Sequence, residues 1–579
     1  MRSLKGAARA VLGLLALSGL ELGCGDDSGV GGEAGQAAGA GGAGGAGGVA
    51  ANGGGGTGGS GGAGGAAPAE LEFDWYTCPY IDGVGVAECA STEVPLDWSK
   101  PDGEKIPFFV KRVKAAVQPA RGQLWILQGG PGSSGESILF TGPEFASVAD
   151  DLDLYFPDHR GTGASAPLDC PDLADLAVTS RPLDPQAVES EIGQCIPSLT
   201  STWGDGLSQF SATGAGRDLG EAIDALRAPG EEVYVYGVSY GTRWAHRYLQ
   251  QFPTQPTGVI FDSMVGEPST WLEFDANIDA MGQQLLELCG ADPFCQSKLG
   301  PDPVAFVEAL MAKLDAGHCP TSKGLDKNDY KALLAAFVVH SRVDRGTFPA
   351  IAYRIDRCDV TDQTVIENLY AALEPGAPAT FSGGLHFNVV TGELIEAPPP
   401  SLAELTTAED GLLLSSRQML AYRAAYDVWP RYDRGPLDGT FADTDVPILM
   451  LQGALDAQTT AGPAAAFASH YAKPHQSYLE IAGVGHAITN PGTTQTLDGS
   501  VCGMTLAGQF LNDPTADVDT SCVADILPLD FELVGYSFGA GTVSVWENAA
   551  AFAAPPADAP KPVNVIELVA AERRRGGVR

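Results

Sequence analysis

The run Val233-Tyr234-Val235-Tyr236, then Gly237-Val238-Ser239-Tyr240-Gly241, then a helix-forming stretch from Thr242 to Phe252, constrains this chain more than any other feature. Strand, Gly-x-Ser-x-Gly and helix together are the context of a nucleophile elbow. The turn is so tight that a side chain two positions away on either side of the serine would collide with the strand or the helix. The same strain points the serine hydroxyl out of the sheet. Taken alone, the five residues also suit an ordinary strand-to-helix turn with a solvated serine. The flanks, and the partners that follow along the chain, favour the elbow.

Short apolar runs bounded by turn residues recur. Ile106–Val110 follows Glu93–Trp98. Then come Leu124–Leu127, Leu152–Phe156, Val233–Tyr236 and Val259–Phe261, and much later Ile448–Leu451 and Tyr478–Ile481. Runs that are apolar throughout suit strands buried on both faces. Helical stretches lie between several of them; Ala215–Arg227 carries Leu219, Ile223 and Leu226 at helical spacing. Alternating strands and helices predict an α/β protein with a mostly parallel central sheet. The alternation breaks between Phe261 and Ile448, where Met281–Leu288, Pro303–Leu314, Tyr330–Val339 and Ser415–Tyr426 read as helices. We therefore expect a helical cap, residues 266–440, inserted between late strands; an independent domain is the other reading. The core would then comprise residues 70–265 and 441–550.

The ends read differently. Arg2, Lys5 and Arg9 precede the apolar run Ala10–Leu20 and then Gly23-Cys24. A basic start, a short apolar middle and small residues make a secretory signal over residues 1–24. The cysteine placement resembles a bacterial lipoprotein signal, which makes Cys24 the expected lipidation site and implies membrane attachment by a lipid anchor. Glu21 stands where such signals usually have Leu. Residues 25–69 are dominated by Gly and Ala. A run with nothing to bury cannot offset its backbone entropy, so it reads as a disordered tether. About 40 such residues reach roughly 35 Å. Residues 551–579 read as a disordered tail.

With 72 Asp and Glu against 34 Lys and Arg, the formal charge is −38. Nucleic-acid binding needs a basic surface and is excluded as an expectation. Setting Cys24 aside, ten cysteines remain of 11, an even count that suggests disulfides in an exported chain. Pairing neighbours gives Cys78–Cys89, Cys170–Cys195, Cys289–Cys295, Cys319–Cys358 and Cys502–Cys522. No cysteine–histidine spacing suits zinc, so no structural metal is expected.

A serine hydroxyl needs a base to take its proton and a third group to orient that base. The expected chain order is Ser, acid, His. Of eight histidines, His486 alone follows a late strand directly, in Gly483-Val484-Gly485-His486. His470 and His475 precede that strand and read as surface residues. Asp456, in Gln452-Gly453-Ala454-Leu455-Asp456 after Ile448–Leu451, is the expected acid. It lies where ligands of open α/β sheets collect. Asp262, after Val259–Phe261, is the second candidate. The oxyanion calls for backbone donors. The Tyr240 N–H beside the nucleophile is one. The Gly130 N–H, in Gln128-Gly129-Gly130-Pro131-Gly132, is the other. This glycine run lacks both GxGxxG spacing and a P-loop Lys, so no nucleotide or other cofactor is expected.

Three motifs occur in order: Gln128-Gly129-Gly130-Pro131-Gly132, Asp158-His159-Arg160-Gly161-Thr162-Gly163, and Tyr236-Gly237-Val238-Ser239-Tyr240-Gly241-Thr242. Together they resemble the α/β-hydrolase aminopeptidases, namely prolyl aminopeptidases and secreted tripeptidyl aminopeptidases. Trp429-Pro430 and the Cys502…Cys522 region resemble the tripeptidyl branch. The resemblance covers roughly residues 70–525. It implies an α/β-hydrolase fold and an exopeptidase that acts on peptides with a free N-terminus, with Ser239, Asp456 and His486 as its triad. It also implies a cap whose acidic residues hold the substrate amine; Glu267, Glu273 and Asp275 are placed for this and also suit a solvated helix face. The chain departs from the family at Gln128 (usually His or Asn), at Val238 (often Gly) and at Thr459-Thr460 (often Thr-Pro). A carboxylesterase with the same triad, and an inactive tethered binding protein on this scaffold, are the alternatives.

Overall fold

The computed structural model describes residues 71–532, apart from 82–83, 180, 340–341, 373–376 and 379, together with 545–547. The expected signal sequence, Cys24, the Gly/Ala run and the expected tail lie outside the described residues. Nine strands are seen among the described residues: β1 (Tyr76–Ile81), β2 (Val84–Pro95), β3 (Lys105–Val113), β4 (Gly122–Leu127), β5 (Leu152–Pro157), β6 (Glu232–Val238), β7 (Gly258–Asp262), β8 (Ile448–Gly453) and β9 (Gln476–Ile481). They form one sheet in the order β1-β2-β3-β5-β4-β6-β7-β8-β9. β1, β2 and β3 are antiparallel, β3 runs antiparallel to β5, and every pairing from β5 to β9 is parallel. This is the α/β-hydrolase sheet with one added strand, β1. Sequence reading missed β1 because Tyr76–Ile81 is mostly exposed and carries Pro79, which an edge strand tolerates.

The central strands alternate between two cores. Trp125, Val235, Phe261 and Met450 join one cluster with the helix Ala212–Leu226. Leu124, Tyr236, Ile260 and Leu449 join the cluster on the opposite face with Phe510 and Leu511. The period of two carries successive side chains to opposite faces, and both faces are covered.

Between β7 and β8 the chain runs through helices that include Phe274–Ala291, Pro303–Asp315, Lys327–Val338, Arg342–Arg357, Gly383–Val389 and Gln418–Val428. The insertion is not one unit. Its first helices build a separate core around Ile278, Leu286, Leu310, Leu334 and Ile351. Its later part, including Leu385, Phe387, Leu420 and Tyr422, merges with the cluster under the sheet. At the other end of the expected core, Phe531, Val545 and Trp546 pack with the insertion's residues. The Trp546 Nε1–H donates to the Phe531 carbonyl at 2.7 Å. Disulfides join Cys78–Cys89, Cys170–Cys195, Cys289–Cys295, Cys319–Cys358 and Cys502–Cys522.

Candidate active site

Ser239 follows β6 and caps the helix Tyr240–Gln251, with φ 57° and ψ −129°. A side chain rarely adopts this backbone, and it persists only where the surroundings impose it. The surroundings are crowded: a Cβ on Gly237 would run into the Gly241 carbonyl, and one on Gly241 into the Leu127 carbonyl of β4. Both glycines of the elbow are therefore required sterically. Val238 is buried against the second core, so the valine at this position has a packing role.

β4 and β6 are parallel neighbours, with Leu127 opposite Gly237. The loop after β4 thus emerges beside the elbow. A Cβ on Gly129 would stand 2.8 Å from Ser239 Cβ and 2.9 Å from the Val238 carbonyl. The Gly129 N–H donates to Gln128 Oε1 at 2.7 Å, and Gln128 Nε2 donates to Ser137 Oγ at 2.9 Å. Gln128 therefore braces its own loop. Gly130 has φ 113° and Tyr240 opens its helix, where N–H groups have no partner within the helix.

β8 and β9 deliver the other two side chains. His486 Nδ1 donates to Asp456 Oδ2 at 2.8 Å. Asp456 is fully buried; its Oδ1 accepts the Gln458 and Thr459 N–H groups at 2.9 and 3.0 Å, and its Oδ2 also accepts Thr459 Oγ1 at 2.8 Å. Burial alone would raise the Asp456 pKa, but His486 and Thr459 outweigh it and hold the carboxyl below its usual range. Burial would lower His486, and Asp456 outweighs that, so the imidazole pKa rises above its ordinary value. Thr459, which keeps the threonine of the usual Thr-Pro pair, thus acts as a carboxylate donor, and the departure falls on Thr460. His470 and His475 are both exposed.

Asp262, the second candidate acid, does not reach the imidazole as a partner. It is buried at the end of β7 and accepts the Ile488 and Thr489 N–H groups at 2.7 and 3.0 Å and the Tyr236 hydroxyl at 3.0 Å. Its backbone carbonyl accepts the Ser239 N–H at 3.0 Å, and Ser263 Oγ accepts the Ala487 N–H at 2.8 Å. The end of β7 therefore touches the elbow on one side and the turn after His486 on the other. A buried guanidinium, Arg345, lies against Gly485 just before His486. Gln458, two residues after the acid, donates to the Val339 carbonyl at 3.0 Å.

The three carboxylates expected to hold a substrate amine do not act together. Glu267 is buried and pairs with Arg243 at 3.2 Å and Arg247 at 3.0 Å. Arg243 also meets Glu393 at 3.0 Å and Asp438 at 2.9 Å. Asp275 is buried, and its two oxygens accept the Ser416 and Met419 N–H groups at 2.9 and 2.7 Å, at the start of the helix Gln418–Val428. Both are engaged by the protein, while Glu273 is exposed. Sequence reasoning also missed Arg243, four positions after the nucleophile, because one arginine on a helix gives no signal until its distant acidic partners are known. The Asp158–Gly163 motif is structural as well. Asp158 accepts the Gly135 and Ala164 N–H groups at 2.8 and 2.7 Å, and Arg160 makes two hydrogen bonds to Asp218 at 2.7 and 2.6 Å. Among the described residues no group of three or more His, Cys, Asp or Glu is placed to hold a metal.

No family model matches the chain. It is 29% identical over 207 residues to a tripeptidyl aminopeptidase of Streptomyces coelicolor, covering 33% of this chain and 38% of that one. It is 28% identical over 271 residues to the serine protease Hip1 of Mycobacterium tuberculosis, covering 42% and 49%. The matches therefore span less than half of these relatives. The fold neighbours include a proline iminopeptidase of Mycobacterium smegmatis, at 15% identity and TM-score 0.35 over 73% of this chain and 98% of that one. By its sheet and its elbow the chain has the α/β-hydrolase fold, and part of it is similar in sequence to proteins named tripeptidyl aminopeptidase and serine protease.

Proposed function

We propose that the chain is a serine aminopeptidase acting by acyl transfer on peptides with a free N-terminus. His486 takes the Ser239 proton as the hydroxyl attacks, then returns it to the leaving amine. Asp456 accepts the Nδ1–H and keeps the imidazole in the tautomer whose Nε2 can act as base. The Gly130 and Tyr240 N–H groups receive the charge that develops on the carbonyl oxygen. Water then hydrolyses the acyl-enzyme by the same steps.

The observation that carries this reading is the 2.8 Å contact between His486 Nδ1 and Asp456 Oδ2, linked to the strained Ser239 through the end of β7, where the Asp262 carbonyl accepts the Ser239 N–H and Ser263 Oγ accepts the Ala487 N–H. The peptidase names of the relatives support the peptide substrate. Five disulfides support export to an oxidising compartment, and the basic start, apolar run and Gly23-Cys24 support Cys24 as the lipid-anchored residue. One observation favours a carboxylesterase as the second reading: of the three carboxylates expected to hold the amine, Glu267 and Asp275 are engaged by protein partners, which leaves Glu273 alone exposed.

The test is to offer the purified protein free-amine peptide arylamides, N-blocked arylamides and a short-chain aryl ester. Efficient turnover of the free-amine arylamides alone supports the aminopeptidase. Turnover of the ester alone selects the esterase. Turnover of none, or turnover unchanged by Ser239→Ala, sinks the triad.

A further inference from the structure

The loop that carries Gly130 does not stand on its own strand alone. Residues of the helical insertion are stitched to it along its length. The Ser382 N–H donates to the Gly132 carbonyl at 2.8 Å, and the Ser134 N–H donates to the Thr380 carbonyl at 2.9 Å. Ser133 and Phe381 form an antiparallel β-bridge. The fit is close, since a Cβ on Gly132 would stand 2.7 Å from the Ser382 carbonyl. Ser382 Oγ meanwhile donates to the Leu168 carbonyl at 2.9 Å and accepts the Leu385 N–H at 3.1 Å.

The next turn supplies His386, which is buried. Its Nδ1 lies 2.7 Å from the Pro131 carbonyl, which can only accept, so Nδ1 carries the proton. Its Nε2 lies 2.5 Å from the Tyr422 hydroxyl, which must then donate. Burial holds the imidazole neutral, with its pKa pushed down to about 4. The Pro131 carbonyl lies in the Pro131–Gly132 peptide, with the Gly130–Pro131 peptide between it and the plane of the Gly130 N–H, so this hydrogen bond anchors the loop immediately after the oxyanion donor.

We infer that the insertion builds the oxyanion loop as well as covering the site, and that His386, oriented by Tyr422, is the positioning residue that holds the Gly130–Pro131 segment through the Pro131 carbonyl. This rests on the reading of Gly130 as an oxyanion donor. A loop that must aim an N–H at a charge appearing only in the transition state gains from being held before the substrate arrives. Cap placement and turnover are thereby coupled through one imidazole.

Three variants test this: His386→Leu removes the donor, His386→Asn places an amide N–H near the former Nδ1, and Tyr422→Phe removes the hydroxyl that sets the tautomer. The readouts are kcat and KM on a free-amine peptide arylamide, the rate of Ser239 modification by a fluorophosphonate, and the thermal midpoint. Loss of a preorganised oxyanion donor costs about 10²–10³ in kcat, and a displaced donor costs less. We expect His386→Leu to lower kcat and the fluorophosphonate rate by about 10- to 100-fold with KM within about threefold. His386→Asn should recover most of both rates, and Tyr422→Phe should fall between. A folded His386→Leu with kcat within twofold of wild type overturns the inference. So does a loss confined to KM, or an equal loss in the Leu and Asn variants that follows a lowered thermal midpoint. If His386→Leu does not fold, the volume-conserving Tyr422→Phe decides: an unchanged kcat overturns the inference. Full activity in Ser239→Ala would instead sink the catalytic reading itself.

Discussion

His486 Nδ1 and Asp456 Oδ2 meet at 2.8 Å, although 30 residues and the strand β9 separate them in the chain. The carboxylate is fully buried, and backbone N–H groups hold its other oxygen. It therefore fixes the tautomer of the ring and favours its cationic form.

Asp456→Asn should preserve the geometry and present the wrong partner to Nδ1. Such a swap in a serine triad lowers kcat by about 10⁴-fold. In the wild type, His486 must be neutral to act as base, and its pKa lies above its ordinary value. The value of kcat/KM should therefore climb with pH through a midpoint above about 6.5. A pH profile of each protein checks both statements. A midpoint well below 6, or an Asp456→Asn variant within tenfold of wild type, would refute the assignment.

Stability should fall on mild acidification. His159, His246 and His386 are buried, and burial pushes each pKa down to about 4. The unfolded chain binds these protons near pH 6.5, so between about pH 6.5 and 4 it holds more protons than the folded state. Folding free energy is therefore lost as pH drops through this window, by on the order of 3 kcal/mol per imidazole at its acid end. Urea midpoints measured at pH 7.5, 6, 5 and 4 should decrease in that order. A flat series would show that these rings protonate in the folded state.

Much of this was legible in the sequence because the chemistry imposes local patterns. The two elbow glycines, the order of Ser239, Asp456 and His486, and each strand before them follow from short-range sterics and the period of a buried strand. Three things were not legible. β1 has no apolar run, so nothing marked it. Glu267 and Asp275 were expected at the substrate, whereas the fold engages both: Arg243 and Arg247 from the preceding helix pair with Glu267, the distant Gly439 N–H donates to it at 3.0 Å, and the distant Ser416 and Met419 N–H groups donate to Asp275. The return of Trp546 to the insertion's core is long-range packing of the same kind. Local sequence carries charge and polarity, but the choice of partner is made by the fold.

The buried pairs around Arg243 predict a strong asymmetry. Arg243 and Arg247 face Glu267, Glu393 and Asp438 at distances from 2.9 to 3.2 Å. Removing one partner from such a cluster costs about 3–5 kcal/mol, because the remaining charges stay buried and uncompensated. Arg243→Met should therefore lower the urea midpoint far more than Lys327→Met. The Lys327 side chain is partly exposed and pairs with the exposed Asp315 at 2.8 Å. Surface pairs of that kind contribute about 0.2–1 kcal/mol. Equal shifts in the two variants would contradict the ion pairing described here.

The insertion also touches the segment that carries the base. The Arg345 guanidinium lies so close to Gly485 that a Cβ there would overlap it, and both groups are buried. Gly485→Ala must move either the guanidinium or the turn, and His486 is the next residue. A displacement near 1 Å at a catalytic group can cost about 10²-fold in rate. We expect kcat to fall by about tenfold or more, with KM changed little, because the imidazole is misplaced while the rest of the site is intact. Gly462→Ala is the matched control. It lies at the start of the helix Ala461–Ala468, where an added Cβ meets open space. Wild-type kcat in Gly485→Ala would show that Arg345 yields without disturbing His486, and that the insertion does not control the base through this contact.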